Sequence, residues 1–252
     1  MEHCELTGFF SAAQRARFLQ ATARRFSVRT YTGEADAPQL SALQFAAQKL
    51  KLPGVRIVIS HCEEKKLYTR LPGVTPITGT GQFAALVVDT EIPYARYHAG
   101  ICGEAFVLEA FSLGLGACWI GSFKKSGVQH IEKADFEEVL AIIPFGSHDG
   151  EVPPRKRKSL NAICVGNPTD WPLWAYNAAE CVRNAPSALN LQPWRLNFAG
   201  RTLLLSKKGL GTQLDMGIAL LHMSLGVGEK EHIIRWEDEK HVASLLAEDR
   251  LT

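Results

Sequence analysis

The chain has 252 residues, of which 46% are hydrophobic and 21% are charged, and its formal net charge is +2. This length and composition are typical of a globular protein with a sizeable core, arranged as one large domain or two small ones. The near-neutral charge gives no indication of a polyanion partner, and the absence of any run of about 18 uncharged apolar residues predicts no membrane span.

The cysteines lack the spacing of a metal site. No two of them form a C-x-x-C pair, so we expect no zinc or other metal. Several lie in apolar runs, where a reduced cysteine behaves as a small hydrophobic residue. The first residues include Glu2 and Glu5, unlike the basic start of a secretory segment. These features predict a reducing, cytoplasmic location.

The first part of the chain alternates helical and strand patterns. Apolar residues recur at helical spacing near the start, and Pro38 suits the first turn of a second helix. Gly114 and Gly116 suit the end of a buried core helix. In chain order we predict a helix over 8–25, a helix over 38–50, a strand over 55–60, a loop over 73–81, a strand over 83–89, a helix over 97–115, and strands over 136–144 and 160–165.

The second part predicts a helix over 173–182, a hairpin of strands 194–198 and 202–206, and a helix over 216–225 with Asp215 as its N-cap. The tail from Glu229 predicts a strand and a polar helix. An A-G-I start near residue 99 is echoed by M-G-I at residue 216, and both helices end in a glycine-rich turn. We therefore predict two related, unequal halves, 1–166 and 167–252, that form one compact unit.

Arg25, Ser27 and Arg29 form an R-x-S-x-R pattern. Guanidinium groups bind phosphate through paired hydrogen bonds and stay charged at working pH, and a hydroxyl between them adds a further bond. The alternative interpretation is a solvated basic helix end.

A run of four cations, R-K-R-K, spans 155–158. Such a run repels itself unless an anion or solvent screens it, and alone it is typical of an exposed loop or a general polyanion patch. Paired with Arg25, its Arg155 and Arg157 become candidates for a phosphate clamp.

Two further segments could contact a flat polar ligand. The stretch 114–123 is rich in small residues, so the backbone N–H groups of Gly121 and Ser122 could approach such a ligand closely. The connector 184–195 contains two prolines, a hydroxyl and two amides, which suit a stiff hydrogen-bonding loop. Its candidate ligand-binding residues are Pro186, Ser187, Ala188 and Asn190.

Together these four segments resemble the FMN-dependent nitroreductase superfamily, through its R-x-S-x-R start, its glycine-rich helix exit, its basic phosphate pair and its P-S-x-x-N-x-Q-P-W segment, here residues 186–194. In typical members the last segment follows soon after the first, whereas here it lies in the second half. The chain is therefore similar to the branch with two fused nitroreductase-like halves. The resemblance implies an α+β, three-layer α/β/α fold with a central, mainly antiparallel sheet that is internally pseudo-duplicated.

The resemblance also implies the role of each residue. Arg25, with Arg155 or Arg157, would hold the FMN phosphate, and Ser27 would assist. Arg29 would face the pyrimidine edge, and the Gly121 and Ser122 N–H groups would reach the N5 and O4 edge. Residues 186–188 would contact the ring edge and ribityl chain, while Asn190 and Gln192 could instead orient their loop. One FMN per chain is expected, with the first half on the phosphate side and the second half as a lid.

The function implied is that of an oxidoreductase that moves reducing equivalents from NAD(P)H to a nitroaromatic or quinone in ping-pong order. The flavin carries the hydride chemistry, so no side chain need act as an acid or base. The alternatives are a non-catalytic flavin-binding, storage or redox-sensing protein and a polyanion-binding module. We expect no nucleic-acid or membrane partner, and either a monomer or a homodimer.

Overall fold

The computed structural model describes residues 3–4, 6, 9–69, 75–228, 230, 232–237 and 241–247. Their helices and strands are β1 (His3–Cys4), α1 (Ala12–Arg24), α2 (Ala37–Lys49), β2 (Val55–His61), α3 (Glu64–Leu67), β3 (Gln82–Asp89), α4 (Ala95–Ser112), β4 (Gly116–Ala117), β5 (Glu137–Gly146), α5 (Leu160–Ile163), α6 (Leu173–Asn184), β6 (Trp194–Ala199), β7 (Thr202–Lys207), α7 (Gln213–Gly226), β8 (His232–Trp236) and β9 (His241–Ala247). The predicted α+β class with antiparallel sheets is confirmed, with the strands divided between two sheets.

The chain forms two compact units, which we call the central unit (residues 24–154) and the terminal unit (residues 1–23 with 155–252). The predicted division at residue 166 differs from this one, because the first helix belongs with the C-terminal part. Arg15 donates to the carbonyls of Ser224 and Gly228 at 2.7 and 2.8 Å. Such bonds to the end of α7 tie α1 into the terminal unit, a relation that no local pattern reveals.

The central unit has a four-stranded antiparallel sheet in the order β2-β3-β5-β4. The apolar strand β3 lies between β2 and β5, and seven of its eight residues are buried. Helix α4 is apolar on almost every side and is buried along most of its length, as expected of a core helix. Helix α2 begins at the predicted place because Asp36 and Gln39 form a capping box ahead of its first turn.

The terminal unit has a five-stranded antiparallel sheet in the order β1-β8-β9-β7-β6. The predicted hairpin is confirmed as β6 and β7, with Ala199 paired to Thr202 across the turn. Helix α7 is buried along nearly its whole length, and it packs extensively against α6.

The two units share one path of the chain. Apart from the one-turn helix α3, the central unit runs α2-β2-β3-α4-β4-β5, and the terminal unit runs α6-β6-β7-α7-β8-β9. In each unit the four strands lie in the order first, second, fourth, third. This repeated topology agrees with the internal duplication predicted from the glycine-rich echo.

Three local predictions were wrong. Residues 160–163 form the short helix α5 and Cys164 makes an isolated bridge to Leu196, because a short apolar run fits a helical turn as well as a strand. The N-cap of α7 is Thr212, and Asp215 is the third helical residue of its capping box. The described residues after 229 form β8 and β9 and no helix.

Part of the predicted loop, residues 73 and 74, and parts of the predicted tail lie outside the described residues. Residues 75–81 form no helix and no regular strand, as predicted. Within the described part of the chain, no helix is both long and apolar enough to cross a membrane.

Candidate functional site

The R-x-S-x-R segment is held in place by its backbone. Ser27 forms a parallel bridge with Ala117 in β4, and the N–H of Val28 donates to the Ala117 carbonyl at 3.2 Å. Three residues later, Thr30 forms a second bridge, to Thr78. The segment between these anchors has few ways to move, so its side chains are presented in a defined direction.

The three polar residues of this segment surround one buried thiol. Cys118 is only 2% exposed, and burial raises its pKa above the ordinary value for a thiol. Arg29, a hydrogen bond from Ser27, and Arg25 act in the opposite direction and favour the thiolate. The predicted grouping of Arg25, Ser27 and Arg29 is therefore present in the central unit, with Cys118 as a neighbour that the sequence analysis took only for an inert residue.

Arg25 is anchored from inside the protein. Its side chain is 4% exposed, and its Nε lies 3.8 Å from Oε1 of Glu104, a fully buried carboxylate on α4. The indole of Trp119 donates to Oε2 of the same carboxylate at 2.8 Å. A guanidinium held in this way keeps its charge and its place without a ligand. An acid inside an apolar helix is the sequence signal that could have identified Glu104.

Open space and available donors lie a few residues further along the chain. Gly121 and Ser122 are exposed, and a Cβ added to Gly121 would meet no atom within 4 Å. Within the described residues, the N–H groups of both residues donate no hydrogen bond to protein. This arrangement of two backbone donors beside open space fits the edge of a planar polar ligand.

In the terminal unit the basic run contacts protein carbonyls. Arg155 donates through its two Nη atoms to the carbonyls of Thr22 and Ala23, at 2.8 and 2.6 Å, at the C-terminal end of α1. Cations are favoured there because the last carbonyls of a helix carry partial negative charge. In this structure Arg155 acts as a helix cap, and its predicted phosphate contact stays a prediction.

Arg157 and Lys158 hold the segment of residues 186–192, which we call the 186–192 loop. Arg157 donates to Oδ1 of Asn190, and also to the carbonyl of Asn184 at 3.1 Å. The Nζ of Lys158 donates to the carbonyls of Leu191 and Gln192 at 2.7 and 3.1 Å. These bonds explain the clustered cations, because the loop carbonyls and one amide oxygen screen their charge.

The 186–192 loop is also fixed from within. The hydroxyl of Ser187 accepts from the N–H of Gln192 at 2.8 Å, and Asn190 donates to the Lys156 carbonyl at 2.8 Å. Leu189, Asn190 and Gln192 have φ angles of 50°, 56° and 49°. This left-handed region is unfavourable for leucine and glutamine and is retained only where surrounding bonds enforce it. Asn190 and Gln192 therefore orient the loop, in agreement with one of the roles weighed for them.

The structure thus divides the predicted residues between the two units. Arg25, Ser27, Arg29, Gly121 and Ser122 lie in the central unit. The terminal unit contains Arg155, Arg157, Pro186, Ser187, Ala188 and Asn190.

Comparison with protein families identifies the class to which this fold and these residues belong. Residues 17–227 match a family described as "Putative TM nitroreductase". The match covers most of the chain, so the chain belongs to this nitroreductase family. Nitroreductases are flavoproteins, and membership supports an oxidoreductase of the nitroreductase type.

Solved structures give the same fold. The chain is similar to a nitroreductase from Thermotoga maritima, with 22% identity over 91% of this chain and 93% of that one and a TM-score of 0.65. Other similar structures are a nitroreductase family protein from Streptococcus pneumoniae (17% identity, 60% of this chain and 100% of that one, TM-score 0.48) and a nitroreductase with bound FMN from Desulfitobacterium hafniense (15% identity, 56% and 94%, TM-score 0.45). A comparison with curated proteins gave no match.

Proposed function

We propose that this protein is an FMN-dependent oxidoreductase that passes reducing equivalents from NAD(P)H to a small acceptor, such as a nitroaromatic or a quinone, in ping-pong order. Membership in a nitroreductase family supports the class of reaction. The observation that carries the proposal is the meeting of Arg25, Ser27 and Arg29 around Cys118 in the central unit. Two cations and a hydroxyl in one place suit a phosphorylated, electron-rich cofactor.

The residues present in the central unit fit FMN chemically. Arg25 would hold the phosphate, with Ser27 as a neutral partner. Arg29 is partly exposed and would face the pyrimidine edge, where a cation stabilises negative charge that develops on reduction. The unbonded N–H groups of Gly121 and Ser122 would donate to the polar edge of the ring. When bound, FMN supplies the hydride transfer, and the protein supplies binding and electrostatics.

In the terminal unit, Pro186, Ser187 and Ala188 are the proposed flavin-contacting residues, and Asn190 orients their loop. Arg155 and Arg157 are weaker candidates than Arg25, because their guanidinium groups already donate to protein oxygens. A phosphate contact from either arginine would require it to share or exchange those bonds.

We further propose that the repeated topology records the fusion of two nitroreductase-like halves, and that one FMN binds per chain. The shared strand order of the two units supports the fusion. The stoichiometry is measured as the ratio of released flavin to polypeptide in a fully loaded sample. A ratio near one agrees with the proposal, and a ratio near two contradicts it.

The test of the proposed function is the absorbance spectrum of the purified protein followed by turnover. We expect flavin bands that are released on denaturation, and oxidation of NADH or NADPH that depends on an added nitroaromatic or quinone. A yellow protein without turnover would favour a non-catalytic flavin-binding protein. A colourless protein that takes up no FMN would contradict the proposal.

A further inference from the structure

Asp215 links the 186–192 loop to the first turn of α7. Its side chain is 3% exposed, and Oδ1 accepts from the N–H of Ala188 at 2.8 Å. Oδ2 accepts from the N–H and the hydroxyl of Thr212 at 3.0 and 2.8 Å. The two oxygens thus have different partners, because one completes the helix cap and the other holds the loop.

The central unit has a comparable link at the equivalent point of its path. There the connector between α2 and β2 is held by His98, near the start of α4, whose Nδ1 lies 2.8 Å from the carbonyl of Pro53. In both units, a buried polar side chain in the first turns of the second helix bonds the connector that follows the first helix. The connector in the terminal unit differs because it contains the three left-handed residues of the 186–192 loop.

We propose that Asp215 is a positioning residue for flavin binding, acting through the N–H of Ala188. This inference rests on the proposed function, in which Pro186, Ser187 and Ala188 contact the flavin. Left-handed backbone at Leu189 and Gln192 is retained only while neighbouring bonds oppose its relaxation. The bond from Ala188 is made directly before these residues and comes from the rigid, buried helix α7. Without it, the loop would sample other conformations, and FMN would have to select the competent one.

The test separates loop positioning from helix capping. Asp215→Ala removes both functions of the carboxylate, whereas Thr212→Val removes the capping hydroxyl and leaves the bond from Asp215 to Ala188. In flavin-free protein, we expect hydrogen exchange at the Ala188 amide to rise about tenfold in Asp215→Ala and to stay unchanged in Thr212→Val, as loss of a buried hydrogen bond implies. The Kd for FMN should rise about tenfold in Asp215→Ala and less than about twofold in Thr212→Val.

A third variant keeps the inference testable if Asp215→Ala folds poorly. Asp215→Asn retains one acceptor oxygen for the Ala188 N–H, so its FMN affinity should fall between those of the unmodified protein and Asp215→Ala. Equal effects of Asp215→Ala and Thr212→Val on both measurements would overturn the inference, because capping alone would then explain them. The two failures are distinguishable: absence of FMN binding by the unmodified protein contradicts the proposed function, whereas FMN binding that Asp215→Ala leaves unchanged contradicts the positioning role.

Discussion

The indole Nε1 of Trp119 donates a 2.8 Å hydrogen bond to Oε2 of Glu104, a fully buried carboxylate in the middle of α4. The other oxygen of this carboxylate lies 3.8 Å from Nε of Arg25. An arginine of the candidate flavin site is therefore positioned from the hydrophobic core. The choice of an acid at this point of an apolar helix follows from the charge it has to balance.

Replacing Glu104 by glutamine should uncouple Arg25 from the core. Glutamine keeps the size of the side chain and an acceptor for Trp119, but it removes the charge that faces a buried guanidinium. We expect a loss of about 3 kcal/mol in the free energy of unfolding, measured by chemical denaturation. Trp119→Phe, which removes only the indole donor, should cost about 1 kcal/mol. Unchanged stability in Glu104→Gln would show that this carboxylate does not balance Arg25.

The open space beside Gly121 predicts a variant that loses flavin without losing the fold. Gly121→Leu places a side chain where no protein atom lies within 4 Å of the new Cβ, so stability should change by less than about 0.5 kcal/mol. Its affinity for FMN should fall at least about tenfold, since the side chain would occupy the space proposed for the flavin edge. Thermal unfolding and flavin titration give the two values, and full retention of FMN would contradict the proposed role of this space.

Gly103→Ala is the matched opposite case. Here the added Cβ would lie 2.3 Å from Cη2 of Trp119 and 2.8 Å from a methyl group of Leu86. Such overpacking costs about 1–3 kcal/mol, so this variant should be clearly less stable than Gly121→Leu. A stable Gly103→Ala would mean that the Trp119 ring can shift at little cost.

Stability below neutral pH should depend on Glu137. Its two oxygens accept from Nε and Nη2 of Arg56 at 3.0 and 2.9 Å, and these hydrogen bonds are the main reason why its pKa is lowered from 4.5 to about 2. A carboxyl with a lowered pKa stabilises the fold above its unfolded pKa, and that contribution is lost as the pH falls from 4.5 towards 2. Because Arg56 is 39% exposed, we expect about 1 kcal/mol at pH 7.

The measurement compares the unmodified protein with Arg56→Gln by chemical denaturation between pH 7 and pH 3. The difference should be largest at neutral pH and should shrink in acid. Arg96→Gln is the control, since Arg96 and its partner Glu138 are 50% and 41% exposed and should contribute little. Equal effects of the two substitutions at neutral pH would contradict the special role of the Arg56 pair.

Cys118 should resist alkylation in the folded protein. Burial raises the pKa of its thiol and leaves it only 2% exposed, so both the thiolate and access to it are scarce. Cys62 is partly exposed and serves as the internal comparison. Mass spectrometry after brief iodoacetamide treatment near pH 8 should find the label on Cys62 and should find Cys118 labelled only after denaturation. Rapid labelling of Cys118 would show that the site opens to solvent.

Elements with strong local patterns were predictable from the sequence. The apolar runs of β3 and α4 predict a buried strand and a core helix, and the structure confirms both. The spacing of Arg25, Ser27 and Arg29 also predicted a shared neighbourhood, because alternate residues of an extended segment face one side. These features depend on residues that are close together in the chain.

The missed features depend on distant partners. Nothing near Asp215 indicates that its carboxylate bonds Ala188, and the cations of Arg157 and Lys158 gave no sign that they hold loop oxygens. Likewise, α1 joins the terminal unit through bonds of Arg15 to residues more than 200 positions away. Local propensity cannot encode such contacts, since they form only when the two parts of the chain pack together.

Titration of flavin-free protein with FMN and with riboflavin tests the central claim most directly, because the two ligands differ only in the phosphate that Arg25 and Ser27 are proposed to bind. The account predicts that FMN binds at least about 100-fold more tightly than riboflavin, as charge-assisted bonds to a phosphate imply, and that Arg25→Gln removes most of this difference. Equal affinity for the two ligands, or no affinity for either, would contradict it.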